Sequence, residues 1–600
     1  MLPTSSVPRQ QSSPSCARLC FLHILYNPRK RPPRTARYIF AAVKEAQGRH
    51  LKRQQRSNKM GASRQVALNI RITEMADETS QVIREFGKHH DMSSASVEAL
   101  LEDFLCILEG EETISHVNVA TIMHRTAFLV SASHLKSHVV KNHAKLIERL
   151  TVAVHNSIDL FQPRHIANVI WAYGKLGRPV LTILTPGSAS VPGVLALLME
   201  RAEMLCERFS AREISSVMVG LANMQLQRKT CEGLLLRLTA SAARRIEKFK
   251  GQELSNVVWS LGRLGATKTC QRTADFLHQL LPRLNPQSLT PQQVSNLLWG
   301  FAKLDFQDGS NFFGEVVRNF EGRLDDFSPQ GIANLVWSLS KLMYLPCNSF
   351  LGKVVSHAVG MLGRLKPQHV SNLLYAFGIF GDVDIAGPLC SAAKAHFEEK
   401  KDSFSVQELC NLLWALAMLD ALDVKTFNLG MVCLSNKSSL KSMKDSEKRQ
   451  IYQCAIHLQV FGLEQGLDEA VWLKLQEEFS RVWVSGQYSK PTSAVGLAVL
   501  ITLQKLGYAS STRFVSGVIP LLVDSATGAD GVRVTIEVSI KQHYFVNRKD
   551  RLEGPRMWAM RIQEAQGFVV VRVDTDEWTR LPVGKRQDFL MDKLDAPWPH

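Results

Sequence analysis

Residues 291–305 read PQQVSNLLWGFAKLD, and this pattern recurs with small changes along a chain of 600 residues. Aligning the copies on their asparagine gives the positions Asn168, Ser216, Asn256, Asn296, Asn334, Asn372 and Asn411. The intervals are 48, 40, 40, 38, 38 and 39 residues, and a predicted loop insertion at 184–193 lengthens the first. A period of this length predicts a repeat protein in which each unit stacks on its neighbours.

Each copy has the apolar spacing of one helix face. Relative to the asparagine, positions −2, +1, +2, +5 and +8 are apolar throughout, which is typical of an amphipathic helix. Positions +4 and +6 hold only Gly, Ala or Ser, so a neighbouring helix could approach closely. Position +3 holds Trp171, Val219, Trp259, Trp299, Trp337, Tyr375 and Trp414. We interpret the recurring Asn and Trp as structural residues of helix packing.

A second amphipathic segment follows each copy, as in TADFLHQLLPRL at 273–284. Pro291, Pro329 and Pro367 then open the next unit, where a first-turn proline suits a helix start. The sequence therefore predicts an α-solenoid of helical hairpins, each about 38–40 residues long, over residues 95–480. Weaker copies at 113–130 and 449–462 flank the array.

The positive charge is concentrated at the N-terminus. The chain has a net charge of +17, of which residues 1–73 carry +14, because they hold 15 Lys and Arg but one acid, Glu45. This Arg-, Ser- and Pro-rich extension predicts an organelle transit peptide, and a basic arm that touches nucleic acid is the alternative. The array itself is nearly neutral.

Several classes of protein are disfavoured by what the sequence lacks. Its 11 cysteines show no zinc spacing, and no phosphate-binding loop, H-E-x-x-H or G-x-S-x-G motif occurs. We predict no cofactor and no metal site. The longest apolar stretch, at 493–503, is too short to span a bilayer, so no membrane segment is predicted either.

Candidate ligand-binding residues lie one helical turn before the asparagine. Position −4 holds Arg164, Arg212, Gln252, Gln292, Gln330, Gln368 and Gln407, and position −3 includes His165, Gln293 and His369. Such side chains bond to base edges and phosphates, and a helical repeat can read single-stranded RNA at about one base per unit. The alternative is a solvated helix start, where Gln and Glu are common.

The repeat resembles the octotricopeptide repeat of algal and protist organelle proteins, best at 291–305 and at PQGIANLVWSLSKLM, 329–343. The resemblance covers about residues 150–425 and implies sequence-selective binding of organelle transcripts. The low charge of the array fits selective reading better than binding driven by phosphate contacts.

After residue 480 the pattern changes. Residues 532–540 and 567–578 are predicted strands, 548–567 a basic helix and 581–594 a closing helix. The segment resembles the RAP domain through Ile536-Glu537-Val538, His543-Tyr544-Phe545, Arg556, Arg561, Gln566-Gly567-Phe568, Glu577-Trp578 and Phe589-Leu590. This resemblance covers about residues 520–595 of a predicted α/β domain at 515–597, and it implies RNA binding within a restriction-endonuclease-like fold. The predicted backbone contacts are Arg548, Lys549, Arg551, Arg556 and Arg561.

A nuclease of that fold would hold a divalent metal with carboxylates on adjacent strands. Asp524 and Glu537 are the weak candidates, because the acidic position expected after Glu537-Val538 is occupied by Ser539. The alternative for Glu537 is a carboxylate paired with Arg533 or Lys541.

The sequence as a whole predicts an RNA-binding protein of an organelle, mitochondrial or else plastid. It would act on single-stranded RNA, with organelle ribosomes or RNA-processing proteins as further partners. A metal-dependent RNA endonuclease and a protein-binding scaffold are the alternatives.

Overall fold

The structure is a computed structural model, and it contains two compact units, Met1–Val139 and Val140–His600. The described residues are 64–86, 90–110, 114–132, 143–177, 193–266, 270–437, 442–469, 473, 479–488, 493–516, 521–529 and 531–595. Residues 1–63, most of the predicted transit peptide, lie outside this part. The predicted array of 95–480 therefore extends over both units.

The first unit contains three described helices: α1 Arg64–Phe86, α2 His90–Gly110 and α3 His116–Ala132. α1 packs against both others, and the Asn118 amide of α3 donates to the Gln65 side-chain oxygen at 2.9 Å. Residues 116–130 of the weak repeat copy belong to α3. The last ten residues of the predicted extension, from Arg64 onward, belong to a helix.

The second unit begins with α4 Ala144–Ser157 and continues as stacked hairpins. The first helices of the hairpins are α5 Pro163–Leu176, α7 Ala211–Asn223, α9 Gly251–Arg263, α11 Pro291–Lys303, α13 Pro329–Lys341, α15 Pro367–Phe380, α17 Val406–Met418 and α19 Asp445–Val460. The second helices are α6 Gly193–Met204, α8 Arg228–Arg244, α10 Gln271–Leu280, α12 Ser310–Phe320, α14 Asn348–Gly360, α16 Val383–Lys400 and α18 Val424–Lys437. Each first helix packs on the next, in agreement with the predicted solenoid.

The first helices end in the same way, and several of them begin with a capping side chain. Ser210, Thr290 and Ser405 accept a hydrogen bond from the backbone three residues later, which satisfies an otherwise unpaired N–H group. Nine residues after the asparagine position the backbone turns left-handed, at Gly177, Gln225, Gly265, Asp305, Met343, Gly381 and Asp420. In α17, for example, Asp420 N donates to Ala417 O and Ala421 N to Leu416 O, a Schellman motif.

The small residues at +4 and +6 lie where neighbouring first helices touch. A Cβ added to Gly220 would come within 2.5 Å of the Ile170 carbonyl oxygen, and one added to Gly300 within 2.6 Å of the Val258 carbonyl oxygen. Both distances are shorter than van der Waals contact, so only glycine fits. This bears out the close approach predicted from the sequence.

The chain then forms α20 Ser480–Tyr488, α21 Ala494–Lys505 and a four-stranded sheet in the order β1-β2-β3-β6. Its strands are β1 Ala509–Ser516, β2 Leu521–Thr527, β3 Arg533–Ser539 and β6 Val569–Asp574, and only the β3–β6 pair is parallel. Between β3 and β6 lie the hairpin β4 Tyr544–Phe545 and β5 Arg548–Leu552, followed by α22 Gly554–Ala565. The C-terminal helices are α23 Thr575–Arg580 and α24 Arg586–Asp595.

One detail of the predicted C-terminal domain is wrong. Residues 548–552 form β5, so the predicted basic helix begins only at Gly554. Val499 and Leu503 of α21, which precede the predicted domain start at residue 515, are buried together with Val534 and Val571 of the sheet. The α21 helix thus covers one face of the sheet, while α22 packs against the other side of β6. No helix among the described residues is long and apolar enough to span a bilayer.

Candidate nucleic-acid interface

One face of the first helices is accessible to solvent. All seven predicted contact residues at position −4 are exposed: Arg164, Arg212, Gln252, Gln292, Gln330, Gln368 and Gln407. Because a helix advances 100° per residue, positions −4, 0, +3 and +7 lie within a 60° arc. The asparagine, the aromatic residue and the residue at +7 therefore share the face of these exposed polar side chains.

Position −3 is occupied differently. His165 Nδ1 accepts from the Gln162 backbone N–H at 3.2 Å, and His369 Nδ1 accepts from Lys366 at the same distance. Gln293 Oε1 accepts from the Thr290 N–H at 3.1 Å. Equivalent bonds are made by Glu213, Glu253 and Glu408. The predicted contacts His165, Gln293 and His369 are thus capping residues that hold the N-terminus of their own helix.

The recurring asparagine joins neighbouring helices. Asn256 Nδ2 donates to Ser215 Oγ of the preceding first helix at 3.1 Å, and its Oδ1 accepts from Gln252 Nε2 at 3.1 Å. Gln252 Oε1 in turn accepts from Gln293 of the next helix at 3.3 Å. In the last pair, Asn411 Oδ1 accepts from Gln450 Nε2 at 3.1 Å. The structural role predicted for asparagine is present at these two positions.

The recurring aromatic residues are not buried packing residues, with the exception of Trp414, which is 6% exposed. Trp259, Trp299, Trp337 and Tyr375 are half-buried and line the accessible face. The Trp259 and Trp299 ring centroids are 6.2 Å apart, and Tyr375 stacks on Trp414 at 5.2 Å. The sequence could have predicted this exposure, because positions −4 and +3 lie on the same arc of the helix.

Cationic side chains at +7 lie against these rings. The Arg263 guanidinium carbon lies 5.4 Å from the centroid of Trp259. Lys303 Nζ lies 5.5 Å from the centroid of Trp299 and 5.0 Å from that of Trp337. Lys341 Nζ lies 4.4 Å from the Tyr375 ring and donates to its hydroxyl at 2.5 Å. We call this row the cation–aromatic ladder: Trp259, Arg263, Trp299, Lys303, Trp337, Lys341, Tyr375 and Trp414.

In the C-terminal domain the predicted site residues make ion pairs. Arg556 Nη1 donates to Glu537 Oε1 at 2.8 Å, so Glu537 is paired with neither Arg533 nor Lys541. The Glu537 side chain is only 11% exposed, because β3 turns it toward α22. Burial raises the pKa of Glu537 above its ordinary value, and the Arg556 guanidinium opposes that shift. Arg556 also lies 2.8 Å from His543 Nε2.

Arg561 holds the domain to the array. Its Nη2 donates to the Met418 carbonyl oxygen at 2.8 Å, and its Nη1 pairs with Asp420. Both acceptors lie at the C-terminal end of α17. Arg556 and Arg561 therefore have internal partners, which the prediction of backbone contacts did not foresee.

Further contacts join the domain to the ends of four consecutive first helices. The Asn547 side chain bonds to the Leu345 backbone at 2.7 and 2.9 Å, and Val546 N donates to Met343 O at 2.7 Å. Trp558 Nε1 donates to His457 Nδ1 of α19 at 3.4 Å. Gly554 lies directly on Gly378 of α15, where no Cβ could fit.

The remaining predicted residues are distributed as follows. Arg548 and Lys549 are exposed on β5, Arg551 is half-buried there, and Arg548 pairs with Asp550 at 2.8 Å. Asp524 belongs to β2, but its side chain lies outside the described part of the structure. Among the described residues, no group of three His, Cys, Asp or Glu side chains is arranged to hold a metal ion.

Comparison with known proteins finds a relative that matches part of the chain, and no family model matches. The chain is 24% identical over 247 residues to a "RAP domain-containing protein, chloroplastic" from Oryza sativa subsp. japonica. The match covers 35% of this chain and 36% of the relative, so the chain spans about a third of that relative's length. The similarity supports a relationship to RAP-domain proteins.

Proposed function

We propose that this protein binds single-stranded RNA in an organelle, along the accessible face of its first helices. The observation that carries the proposal is the unbroken row of exposed polar side chains at position −4, one per unit in seven consecutive units. Arg and Gln side chains at fixed spacing can bond to base edges, and unstacked bases are accessible in single strands. Gln252, Gln292, Gln330, Gln368 and Gln407 form its longest uniform part.

The family resemblances supply the finer version of this proposal. The array would be an octotricopeptide-type reader with a period of about 38–40 residues, and the C-terminal domain a RAP domain of restriction-endonuclease-like fold. The bound RNA would be an organelle transcript or ribosomal RNA, and its processing, stability or translation the process affected. Organelle ribosomes and RNA-processing proteins are the further partners.

The organelle location rests on two observations. Residues 1–73 have the composition of a transit peptide, and the rice relative is described as chloroplastic. We propose import into the mitochondrion, with the plastid as the alternative that the relative favours.

RNA cleavage is the weaker candidate. The one described carboxylate of the predicted catalytic pair, Glu537, has an oxygen engaged by Arg556 and is mostly buried. A cation in this position competes with a divalent metal for the same oxygen. We therefore propose binding without cleavage for this domain.

The test is to crosslink the full protein to RNA in cells and to sequence the bound fragments. We expect a defined footprint of about eight to ten nucleotides in an organelle transcript, at one base per unit. A profile no better than that of an untagged control would overturn the proposal and favour the scaffold alternative. Magnesium-dependent cleavage of the recovered RNA, abolished by Glu537→Gln, would favour the nuclease.

A further inference from the structure

The cation–aromatic ladder has a geometry that helix packing does not require. Packing would bury an indole ring between helices, yet Trp259, Trp299 and Trp337 remain half-exposed on the accessible face. The three cations beside them, Arg263, Lys303 and Lys341, are exposed residues. None of the three lies within salt-bridge distance of a carboxylate in the part of the chain that the structure describes. Arg263 Nε donates to the Ala222 carbonyl oxygen at 3.2 Å, and Lys341 is close enough to Glu553 to oppose the burial that raises the pKa of that carboxyl. The remaining N–H groups of these cations are available to a ligand.

The rings fix where that charge is placed. Lys303 Nζ lies between the rings of two consecutive units, 5.5 Å from one centroid and 5.0 Å from the other. Cation–π attraction holds an ammonium group against a ring face at such distances. Lys341 Nζ is anchored on Tyr375 of the following unit by the same attraction and by a hydrogen bond. The aromatic rings thus hold the flexible side chains of Lys303 and Lys341 each in one preferred position.

The cations are also close enough to affect one another. Contact with the indole rings desolvates Lys303 and lowers its pKa, and the neighbouring Lys341 adds to this shift. Two ammonium groups that repel each other are stabilised when an anion binds between them. The array as a whole is nearly neutral, so these side chains form a local row of charge.

The row ends where the C-terminal domain begins. In α15 and α17 position +7 is occupied by Ile379 and Met418, both of which are buried. The C-terminal domain covers the ends of the same two helices through Gly554 and Arg561. Upstream, the unit of Ser216 has Val219 and Asn223 at +3 and +7, which interrupts the pattern. The exposed row thus extends over three consecutive units.

We propose, on the basis of the proposed RNA binding, that Arg263, Lys303 and Lys341 bind three successive phosphates of a single RNA strand, held in register by the aromatic rings. Positions −4 and +7 are eleven residues apart, or about 16 Å along the helix axis. The strand would then run across the helices, with its backbone toward the C-terminal ends and its base edges toward the glutamines. The residues at position −4 would then select the bases, and the cations at position +7 would bind the RNA backbone.

The test compares two triple variants of the full protein, each lacking three positive charges. The ladder variant is Arg263→Gln, Lys303→Gln, Lys341→Gln. The control variant is Lys229→Gln, Arg272→Gln, Arg318→Gln, because these exposed cations lie on the second helices of consecutive units. All six positions are exposed, so both proteins should fold, which circular dichroism would verify.

The probe is a labelled pool of random 20-nucleotide single-stranded RNA, titrated between 50 and 200 mM salt. Each lost phosphate contact lowers the slope of log affinity against log salt by about 0.7, so the ladder variant should lose about 2 units of slope. When the salt rises from 50 to 200 mM, the factor by which affinity falls should therefore be about 20 times smaller for the ladder variant than for the wild type. The control variant should keep the wild-type slope.

The outcomes separate the two proposals. Equal slopes for the ladder and control variants, with RNA still bound by the wild type, would overturn the phosphate row and leave the proposed function standing. Absence of RNA binding by the wild type would overturn both. Replacement by Lys303→Arg, which keeps the charge, should restore one third of the lost slope.

Discussion

Arg561 of the C-terminal domain forms an ion pair with Asp420, the left-handed residue that ends α17. Through this pair, the basic face of α22 contacts the helical array. A second bond from Arg561 to the Met418 carbonyl oxygen satisfies a backbone group at the same helix end. The array and the domain are thus joined by the residue that a family resemblance would assign to RNA.

We expect Arg561→Gln to loosen this docking. Loss of a charge-assisted contact to a partly buried carboxylate should cost about 1.5–3 kcal/mol. Hydrogen exchange should then rise in α22 and at the end of α17. Arg580→Gln is the control, because Arg580 is exposed in the same domain. If exchange in α22 is unchanged, the ion pair does not hold the interface.

Arg556 should stabilise the fold by neutralising Glu537. Removing one partner of a buried pair costs about 3–5 kcal/mol, and the one-third exposure of Arg556 favours the lower value. We expect Arg556→Met to lower the free energy of unfolding by about 3 kcal/mol at neutral pH, measured with urea. The double variant Arg556→Met, Glu537→Gln should recover much of this loss.

The same variant has a defined pH dependence. Because the folded-state pKa of Glu537 is raised, the protonated form is favoured by folding, and this stability is lost as pH rises. The destabilisation by Arg556→Met should therefore shrink as pH falls toward 4.5, because the raised pKa keeps the folded carboxyl mostly protonated there with or without Arg556. A loss that is constant between pH 4.5 and 7 would contradict the pairing.

His457 should make docking sensitive to acid. Burial, assisted by Arg561, lowers the pKa of His457 to about 4, although Asp420 lies 3.9 Å away. Asp420 is already paired with Arg561, so burial prevails. Unfolding releases the histidine to its ordinary pKa near 6.5, so stability is full above that pH and is lost as pH falls toward 4. Between pH 6.5 and 4 the free energy of unfolding of His457→Gln should fall by less than that of the wild type, with a difference on the order of 2–3 kcal/mol.

Close helix approach can be tested with a matched pair of glycines. Gly300→Ala should be destabilising by about 1–3 kcal/mol, because its Cβ would overlap the Val258 carbonyl oxygen. Gly352→Ala in α14 has open space around the new Cβ and should be stabilising by about 0.5–1 kcal/mol through helix propensity. Thermal unfolding of both proteins measures the difference. Similar shifts would argue against tight packing at position +4.

Positions −3 and −4 should separate stability from RNA affinity. His369→Ala removes a capping bond and should cost about 1 kcal/mol of stability. Gln368→Ala changes an exposed side chain and should leave stability within about 0.5 kcal/mol. Loss of one hydrogen bond to a base would weaken binding to the crosslinked RNA by about 2- to 10-fold. The assignment fails if His369→Ala impairs binding more than Gln368→Ala without loss of stability.

Much of the fold could be predicted because the helices of each repeat are determined by residues close together in the sequence. The helix at 291–303 follows from its own apolar spacing, its Pro291 and the threonine before it. The segment 548–552 belongs to the basic helix that the sequence predicts over 548–567. In the structure it pairs with β4, a tertiary contact that local propensity does not contain.

The candidate site likewise has features that the sequence predicts and features that depend on tertiary contacts. The sequence by itself determined which face of each first helix is polar, since a 3.6-residue period fixes the positions that share an arc. Only the tertiary structure decided which of these side chains remain available. Arg556 and Arg561 are engaged because β3 and the end of α17 are brought against α22, across 19 and about 140 residues of chain. Lys303 is placed between two rings because neighbouring helices stack, a distance between units that no single repeat encodes.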